Sequence, residues 1–205
     1  MRVIAGSAGG IRLAVPRHGV RPTMDRVKAA IFSSLGDAVI GARVLDLFAG
    51  SGALGIEALS RGAAGAVFVD ADRQSVEVIE RNLARTNLAG SVRQQDVFDF
   101  LSKVAPGERF QIIFADPPYE RTKRGAGYPE KLLSNELLPR WLAPGGVFVL
   151  EKPPRAALPK TDLWRIDRRK TYGATEVLFL SAAGNMTRKE FVEYRHLPRH
   201  DEIAG

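Results

Sequence analysis

From Arg43 to about residue 180, short apolar runs alternate with longer stretches of helical periodicity, and this alternation constrains the fold more than any other feature of the chain. Val44-Leu45-Asp46-Leu47-Phe48, Ala66–Val69, Val92–Gln94, Ile112–Ala115 and Val147–Leu150 read as strands. Stretches near 54–61, 73–86, 97–104 and 130–142 read as helices between them. A strand can reach a parallel neighbour only through a long crossover, and right-handed helical crossovers build an open, doubly wound α/β sheet. Two further strands, near 163–171 and 175–180, are separated only by Tyr172-Gly173-Ala174. That link is too short for a crossover, so an antiparallel hairpin is expected to close a mostly parallel, Rossmann-like sheet of seven strands.

Ahead of this unit, residues 2–15 alternate about Gly9-Gly10, as in a hairpin with a glycine turn. Thr23 is placed to cap a helix over 24–35, whose apolar stripe is Val27, Ile31 and Leu35 and whose stop is Gly36. The expected organisation is therefore a hairpin-and-helix extension over 1–36, a catalytic domain over 37–180 and a polar tail over 181–205. A chain of 205 residues has room for one such core with appendages.

No run approaches the roughly 18 apolar residues of a membrane span, and the first residues, MRVIAGSAGGIRL, lack the apolar stretch of a signal peptide. Cysteine is absent and only three histidines are present, so neither a thiolate metal site nor histidine chemistry is expected. The cytoplasm is the expected location. The net charge of +7 is unevenly spread. Arg2, Arg12, Arg17, Arg21, Arg26 and Lys28 face a single acid, Asp25, within residues 1–28. Residues 152–172 are comparably basic and include Arg168, Arg169 and Lys170, whereas acids outnumber bases over 44–116. If the two basic flanks meet in space, they form a surface for a polyanion such as RNA.

Asp46-Leu47-Phe48-Ala49-Gly50-Ser51-Gly52-Ala53-Leu54-Gly55 follows the first parallel strand and opens a helix. Glycines there permit a tight turn and close approach of a ligand to the backbone. Gly50, Gly52 and Gly55 satisfy a dinucleotide fingerprint, with Asp70 placed to accept ribose hydroxyls, so the motif alone fits NAD and S-adenosylmethionine equally. Asp46 tips the balance, because a carboxylate beside the loop would repel a pyrophosphate and attract the ammonium of a methionine moiety. Asp96, followed by Val97, is placed for an adenine amino group and ring face. In a doubly wound sheet Asp46, Asp70, Asp96 and Asp116 should converge on one crevice at the carboxyl ends of the strands.

Asp116-Pro117-Pro118-Tyr119 follows the fourth strand. Consecutive prolines hold the backbone extended and remove two N–H donors, leaving carbonyls to face a site. An amine conjugated to a base ring is a poor nucleophile. Acceptance of its two hydrogens by the Asp116 carboxylate and the Pro117 carbonyl would favour a pyramidal nitrogen, and Tyr119 offers a face for stacking the base.

The glycine loop, the acids after the second and third strands and the D-P-P-Y tetrapeptide resemble class I methyltransferases that modify exocyclic amines. Together with RVIAGSAGGIRL, RPTMDRVKAAIF, LDLFAGSGALGIEALSRGA and RRKTYGATEVLFL, they are similar from end to end, over about residues 1–180, to the RsmD family, whose members methylate guanine N2 in 16S ribosomal RNA. The resemblance implies S-adenosyl-L-methionine as cofactor and 16S rRNA, within the small ribosomal subunit or its assembly intermediate, as partner. No metal and no membrane are implied, and a monomer is expected. Asp46, Phe48, Ala49, Gly50, Ser51, Gly52, Asp70, Ala71, Asp96 and Val97 are the expected cofactor residues, and Asp116, Pro117, Pro118 and Tyr119 the catalytic loop. Arg2, Arg12, Arg17, Arg21, Arg26, Arg168, Arg169 and Lys170 are the expected RNA contacts. An adenine-N6 DNA methyltransferase, an NAD-dependent oxidoreductase and a non-catalytic RNA-binding assembly factor are the alternative readings.

Overall fold

The computed structural model describes residues 1–16, 24–103, 108–118 and 127–184. Its strands are β1 (Arg43–Leu47), β2 (Gly65–Asp70), β3 (Ser91–Gln94), β4 (Phe110–Ala115), β5 (Leu142–Lys152), β6 (Trp164–Tyr172) and β7 (Thr175–Ala182). They form a seven-stranded sheet in the order β3-β2-β1-β4-β5-β7-β6. The first five pair in parallel, and β7 runs antiparallel to both β5 and β6. Strand order reverses between β1 and β4, which is where an open α/β sheet leaves a crevice for a ligand.

The helices are α1 (Met24–Leu35), α2 (Ala53–Ser60), α3 (Arg73–Thr86), α4 (Val97–Leu101), α5 (Tyr128–Leu133) and α6 (Leu138–Trp141). On one face Ile31 and Phe32 of α1, Ile56 of α2 and Ile79 of α3 pack on Val44, Phe68, Ile112, Phe114 and Phe179. On the other, Leu101, Leu132, Leu138 and Trp141 pack on Leu45, Leu47, Ile113, Phe148 and Leu150. Coverage of both faces explains why the central strands are continuous apolar runs rather than alternating ones.

The single helix expected over 130–142 is two short ones. Within a continuous helix Pro139 would lack the N–H for the Asn135 carbonyl, and its ring would strike that carbonyl. The chain breaks instead at Asn135, whose Oδ1 accepts the N–H groups of Leu137 and Leu138 at 2.9 Å each. Pro139 then sits in the first turn of α6, where no N–H is needed. Leu142 already belongs to β5, five residues before the expected strand start.

Residues 2–15 turn back on themselves, but through Gly6–Gly10 rather than a two-residue Gly9-Gly10 turn, and Arg2 and Arg12 form an isolated bridge. Several of the amides are spent on α2. Ser7 N–H donates to the Ser60 carbonyl at 2.8 Å, Ala8 N–H to Ser60 Oγ at 3.0 Å, and Ile4 and Ala5 N–H to the Glu57 carboxylate at 2.7 and 3.1 Å. The segment is a strap over α2, not a free-standing hairpin. Thr23, the expected cap of α1, lies outside the described residues; α1 does end at Leu35, and Gly36 takes a left-handed φ of 54°.

Candidate active site

A cavity of about 550 Å³ opens at the carboxyl ends of β1, β2, β4 and β5. Asp46, Asp70, Asp96 and Asp116 all line it, as do Phe48, Ala49, Gly50, Ser51, Ala71, Val97, Pro117 and Pro118. The topology causes this convergence, since each acid sits at or just after the end of a strand in a parallel array.

The glycine loop shows what each glycine contributes. Gly52, at φ 73°, turns the chain into α2 in a conformation that a side chain would strain. It does not line the cavity; a Cβ there would stand 3.2 Å from Ile56 and 3.3 Å from Ile79. Gly55 serves packing, because a Cβ there would stand 2.3 Å from the Phe68 ring. Its N–H donates to Asp46 Oδ2 at 2.9 Å. Phe48, directly after β1, holds a left-handed φ of 54°, strain of the kind found at ligand sites. The Gly50 N–H donates to Asp70 Oδ2 at 2.8 Å, and the Asp72 N–H to Asp70 Oδ1 at 2.9 Å, so Asp70 organises the loop it was expected to serve. Asp96 caps α4, with Oδ1 accepting from Phe98 and Asp99 N–H at 2.8 and 3.1 Å.

The cavity is electrostatically acidic. Burial pushes the Asp46 carboxyl up to about 8; the Gly55 N–H opposes the shift, and the Asp116 and Asp70 charges add to it. Asp70 is also raised, mainly by burial, against the N–H groups of Asp72 and Gly50. Among the described lining residues the one cationic side chain is Lys28, whose Nζ is 3.0 Å from Glu57 Oε2 and 2.6 Å from the Arg2 carbonyl. A cluster of acids with Asp46 buried, Asp70 and Asp116 half-buried and Asp96 exposed fits a cationic ligand with ribose and adenine groups, such as S-adenosylmethionine, and opposes a pyrophosphate. Asp46 would hold the ammonium, Asp70 the ribose and Asp96 with Val97 the adenine.

Beside this group lies the Asp116-Pro117-Pro118 segment, the expected catalytic loop. Asp116 follows β4 at the cavity wall, Pro117 is buried and Pro118 exposed. Tyr119 lies outside the described residues. Lining residues not anticipated include Met1, Pro16, Lys28, Tyr128 and Glu151. They arrive from segments distant in sequence, and nothing in their local pattern marks them. Tyr128 stands 5.1 Å from Phe48 and 6.3 Å from Phe98 between ring centroids, and of these three rings Phe48 and Tyr128 line the cavity.

Of the expected RNA contacts, Arg17 and Arg21 lie outside the described residues, while Arg2, Arg12 and Arg26 are exposed. The second basic flank reaches α1, the helix on which the first one ends, since Lys170 Nζ donates to Ser34 Oγ at 3.0 Å. The pleat of β6 divides the remaining cations. Arg168, its guanidinium 5.8 Å from the Phe179 ring centroid, shares the α1 face with Lys170. Arg169 faces the opposite side, 3.7 Å from Glu176. No helix among the described residues is long and apolar enough to cross a membrane.

The parallel sheet with its antiparallel β7, together with the acidic pocket and proline loop, defines a Rossmann-like methyltransferase. The chain belongs to the family described as conserved hypothetical protein 95, the RsmD family, whose model matches residues 1–181. It is 37% identical over 177 residues to ribosomal RNA small subunit methyltransferase D of Escherichia coli K12, covering 84% of this chain and 85% of that protein. A hypothetical protein of Thermus thermophilus superposes with a TM-score of 0.75 at 34% identity, over 89% of this chain and 99% of the other. The T. thermophilus 16S rRNA N2 G1207 methyltransferase RsmC, solved with AdoMet and guanosine, superposes at 0.60 with 26% identity, over 81% of this chain and 44% of the other.

Proposed function

We propose that this methyltransferase transfers the methyl group of S-adenosylmethionine to the exocyclic N2 of a guanine in 16S ribosomal RNA. The observation that carries the reading is that Asp116 and Pro117 line the same cavity as the buried Asp46 and its neighbouring acids. The cofactor, when bound, supplies a methyl group made electrophilic by the sulfonium. The protein's part is positioning. The Asp116 carboxylate accepts one hydrogen of the amine and the Pro117 carbonyl the other, so the nitrogen lone pair turns toward the cofactor side of the cavity. Asp116 takes a proton late, after the nitrogen has acquired its charge. Tyr119 provides the stacking face, and the basic strap, α1 and β6 hold the phosphates. Kinship with proteins named small subunit rRNA methyltransferase D, and the guanosine in the RsmC complex, support the choice of acceptor.

The test is methyl transfer from labelled S-adenosylmethionine to small ribosomal subunits from cells lacking this protein, to free small-subunit RNA and to duplex DNA, with nucleoside mass spectrometry of the products. N2-methylguanosine in either RNA acceptor is expected. N6-methyladenine in DNA, or no transfer to any acceptor, would overturn the reading. Asp116→Ala should abolish turnover while leaving cofactor affinity within about threefold, and equal loss of both would remove Asp116 from the catalytic role.

A further inference from the structure

Glu151 lines the cavity, yet nothing in the cofactor arrangement uses it. Its position follows from strand register. Ala115 of β4 pairs with Leu150 of β5, so Asp116 and Glu151 are the next residues along adjacent strands, whose spacing is about 4.8 Å. Side chains alternate across a sheet. Glu151 is two residues beyond Val149, Asp116 two beyond Phe114, and Val149 and Phe114 pair on the face that also carries Asp46. Lys152 turns to the opposite face, where its Nζ lies 2.6 Å from Glu176. Glu151 therefore shares the cavity side of the sheet with Asp116. The cofactor acids Asp46, Asp70 and Asp96 belong to β1, β2 and the loop after β3, all on the other flank of Asp116. Glu151 stands on the acceptor flank, half-exposed at the end of β5.

We propose that Glu151 is a specificity residue that accepts the N1–H of the target guanine while Asp116 accepts a hydrogen from N2. The inference rests on the guanine reading above and deepens it. Guanine carries N1–H and the N2 amine on neighbouring atoms of one edge, so two carboxylates side by side on adjacent strands meet two donors side by side. Adenine presents a lone pair at N1, which a carboxylate repels. A site built to accept a hydrogen bond rejects an analogue lacking the donor, because its own polar group is then covered by the base and left unmatched. Discrimination thus comes from Glu151 and activation of the amine from Asp116, a division of labour between two acids of the same formal charge.

The experiment uses an RNA acceptor carrying guanine or 2-aminopurine at the methylated position. 2-Aminopurine keeps the C2 amine but has an acceptor at N1. The unmodified protein is expected to favour guanine by roughly 10- to 100-fold in kcat/KM. Glu151→Gln, whose amide can donate to N1, should collapse or invert that ratio with S-adenosylmethionine affinity unchanged within about twofold. Equal rates on both bases with the unmodified protein would overturn the proposal, even if the variant failed to fold. An unchanged ratio in Glu151→Gln, or a loss of cofactor affinity parallel to activity, would also overturn it. Absence of N2 methylation on guanine itself would instead overturn the guanine reading, and the proposal with it.

Discussion

The side-chain amide of Asn82, fully buried in α3, donates to the Ser51 carbonyl of the glycine loop at 2.9 Å. The same amide nitrogen donates to the Ala14 carbonyl at 2.9 Å, and its oxygen accepts the Ala14 N–H at 2.8 Å. One side chain therefore ties the amino-terminal strap to the glycine loop. Asn82→Ala would leave these backbone groups without partners in a buried setting, a loss of about 2–4 kcal/mol. For a chain of this size that lowers Tm by on the order of 10 °C. Because Ser51 lines the cavity, cofactor affinity should fall as well. Calorimetric titration of S-adenosylmethionine beside a thermal melt checks both, and a lower Tm with unaltered affinity would show that Asn82 holds only the strap.

Cofactor binding should depend on pH if the cofactor's ammonium is held by Asp46. Its carboxyl titrates near 8 in the ligand-free protein, because burial and the neighbouring Asp116 and Asp70 charges favour the neutral acid. A cationic ligand favours the carboxylate and lowers its pKa in the complex, so between that lowered value and about 8 binding releases a proton and affinity should rise with pH, by up to about tenfold per unit, levelling off above 8. The ligand-free protein should behave oppositely. Between the ordinary carboxyl pKa of 3.8 and about 8 the folded state holds a proton that the unfolded state lacks, so stability falls as pH rises through that window. Asp46→Asn should flatten both profiles. Urea denaturation and titration calorimetry at pH 6, 7 and 8 measure them, and parallel profiles for the two proteins would exclude Asp46 as the responsible group.

The sheet and most of the pocket could be anticipated because their signals are local. A buried parallel strand is a continuous apolar run, and the loops that carry Gly50, Asp70, Asp96 and Asp116 begin where those runs end. The error over 130–142 had a visible cause in Pro139, whose conflict with the Asn135 carbonyl outweighs the apolar periodicity. Asn82, Lys28 and Glu151 offered no such signal. In sequence Asn82 is one more polar residue on an amphipathic helix, and Lys28 one more cation in a basic flank. Their burial is created by the strap crossing α2 and α3, which joins residues more than 50 positions apart.

Glu57 anchors that strap. Its fully buried carboxylate receives Lys28 Nζ at 3.0 Å, Arg61 Nε at 2.7 Å and the N–H groups of Ile4 and Ala5. Burial lowers the pKa of Lys28, and the Glu57 charge is what chiefly opposes this. Glu57→Gln removes the charge but keeps the volume, leaving Lys28 buried without its counter-ion at a cost of about 3–5 kcal/mol. Limited proteolysis should then cut within residues 1–16 far faster, and the thermal midpoint should drop. A midpoint within about 2 °C of the parent's would mean that Lys28 finds compensation elsewhere, because that shift is less than about 1 kcal/mol in a chain of this length.

The pleat of β6 predicts unequal roles for three consecutive cations. Arg168 and Lys170 share the face occupied by α1, through Phe179 and Ser34, while Arg169 lies across the sheet beside Glu176. Phosphates bound along the strap and α1 can meet only the first pair. Replacing Arg168 and Lys170 with Ala should weaken RNA binding and reduce the slope of log affinity against log salt by about 0.7–0.9 for each phosphate no longer neutralised. Arg169→Ala should leave the slope unchanged. It removes a partner from Glu176, which Lys152 still engages at 2.6 Å, so stability should also change little. Binding isotherms across a salt series distinguish the faces, and a reduced slope for Arg169→Ala alone would place the RNA on the α5 and α6 side of the sheet.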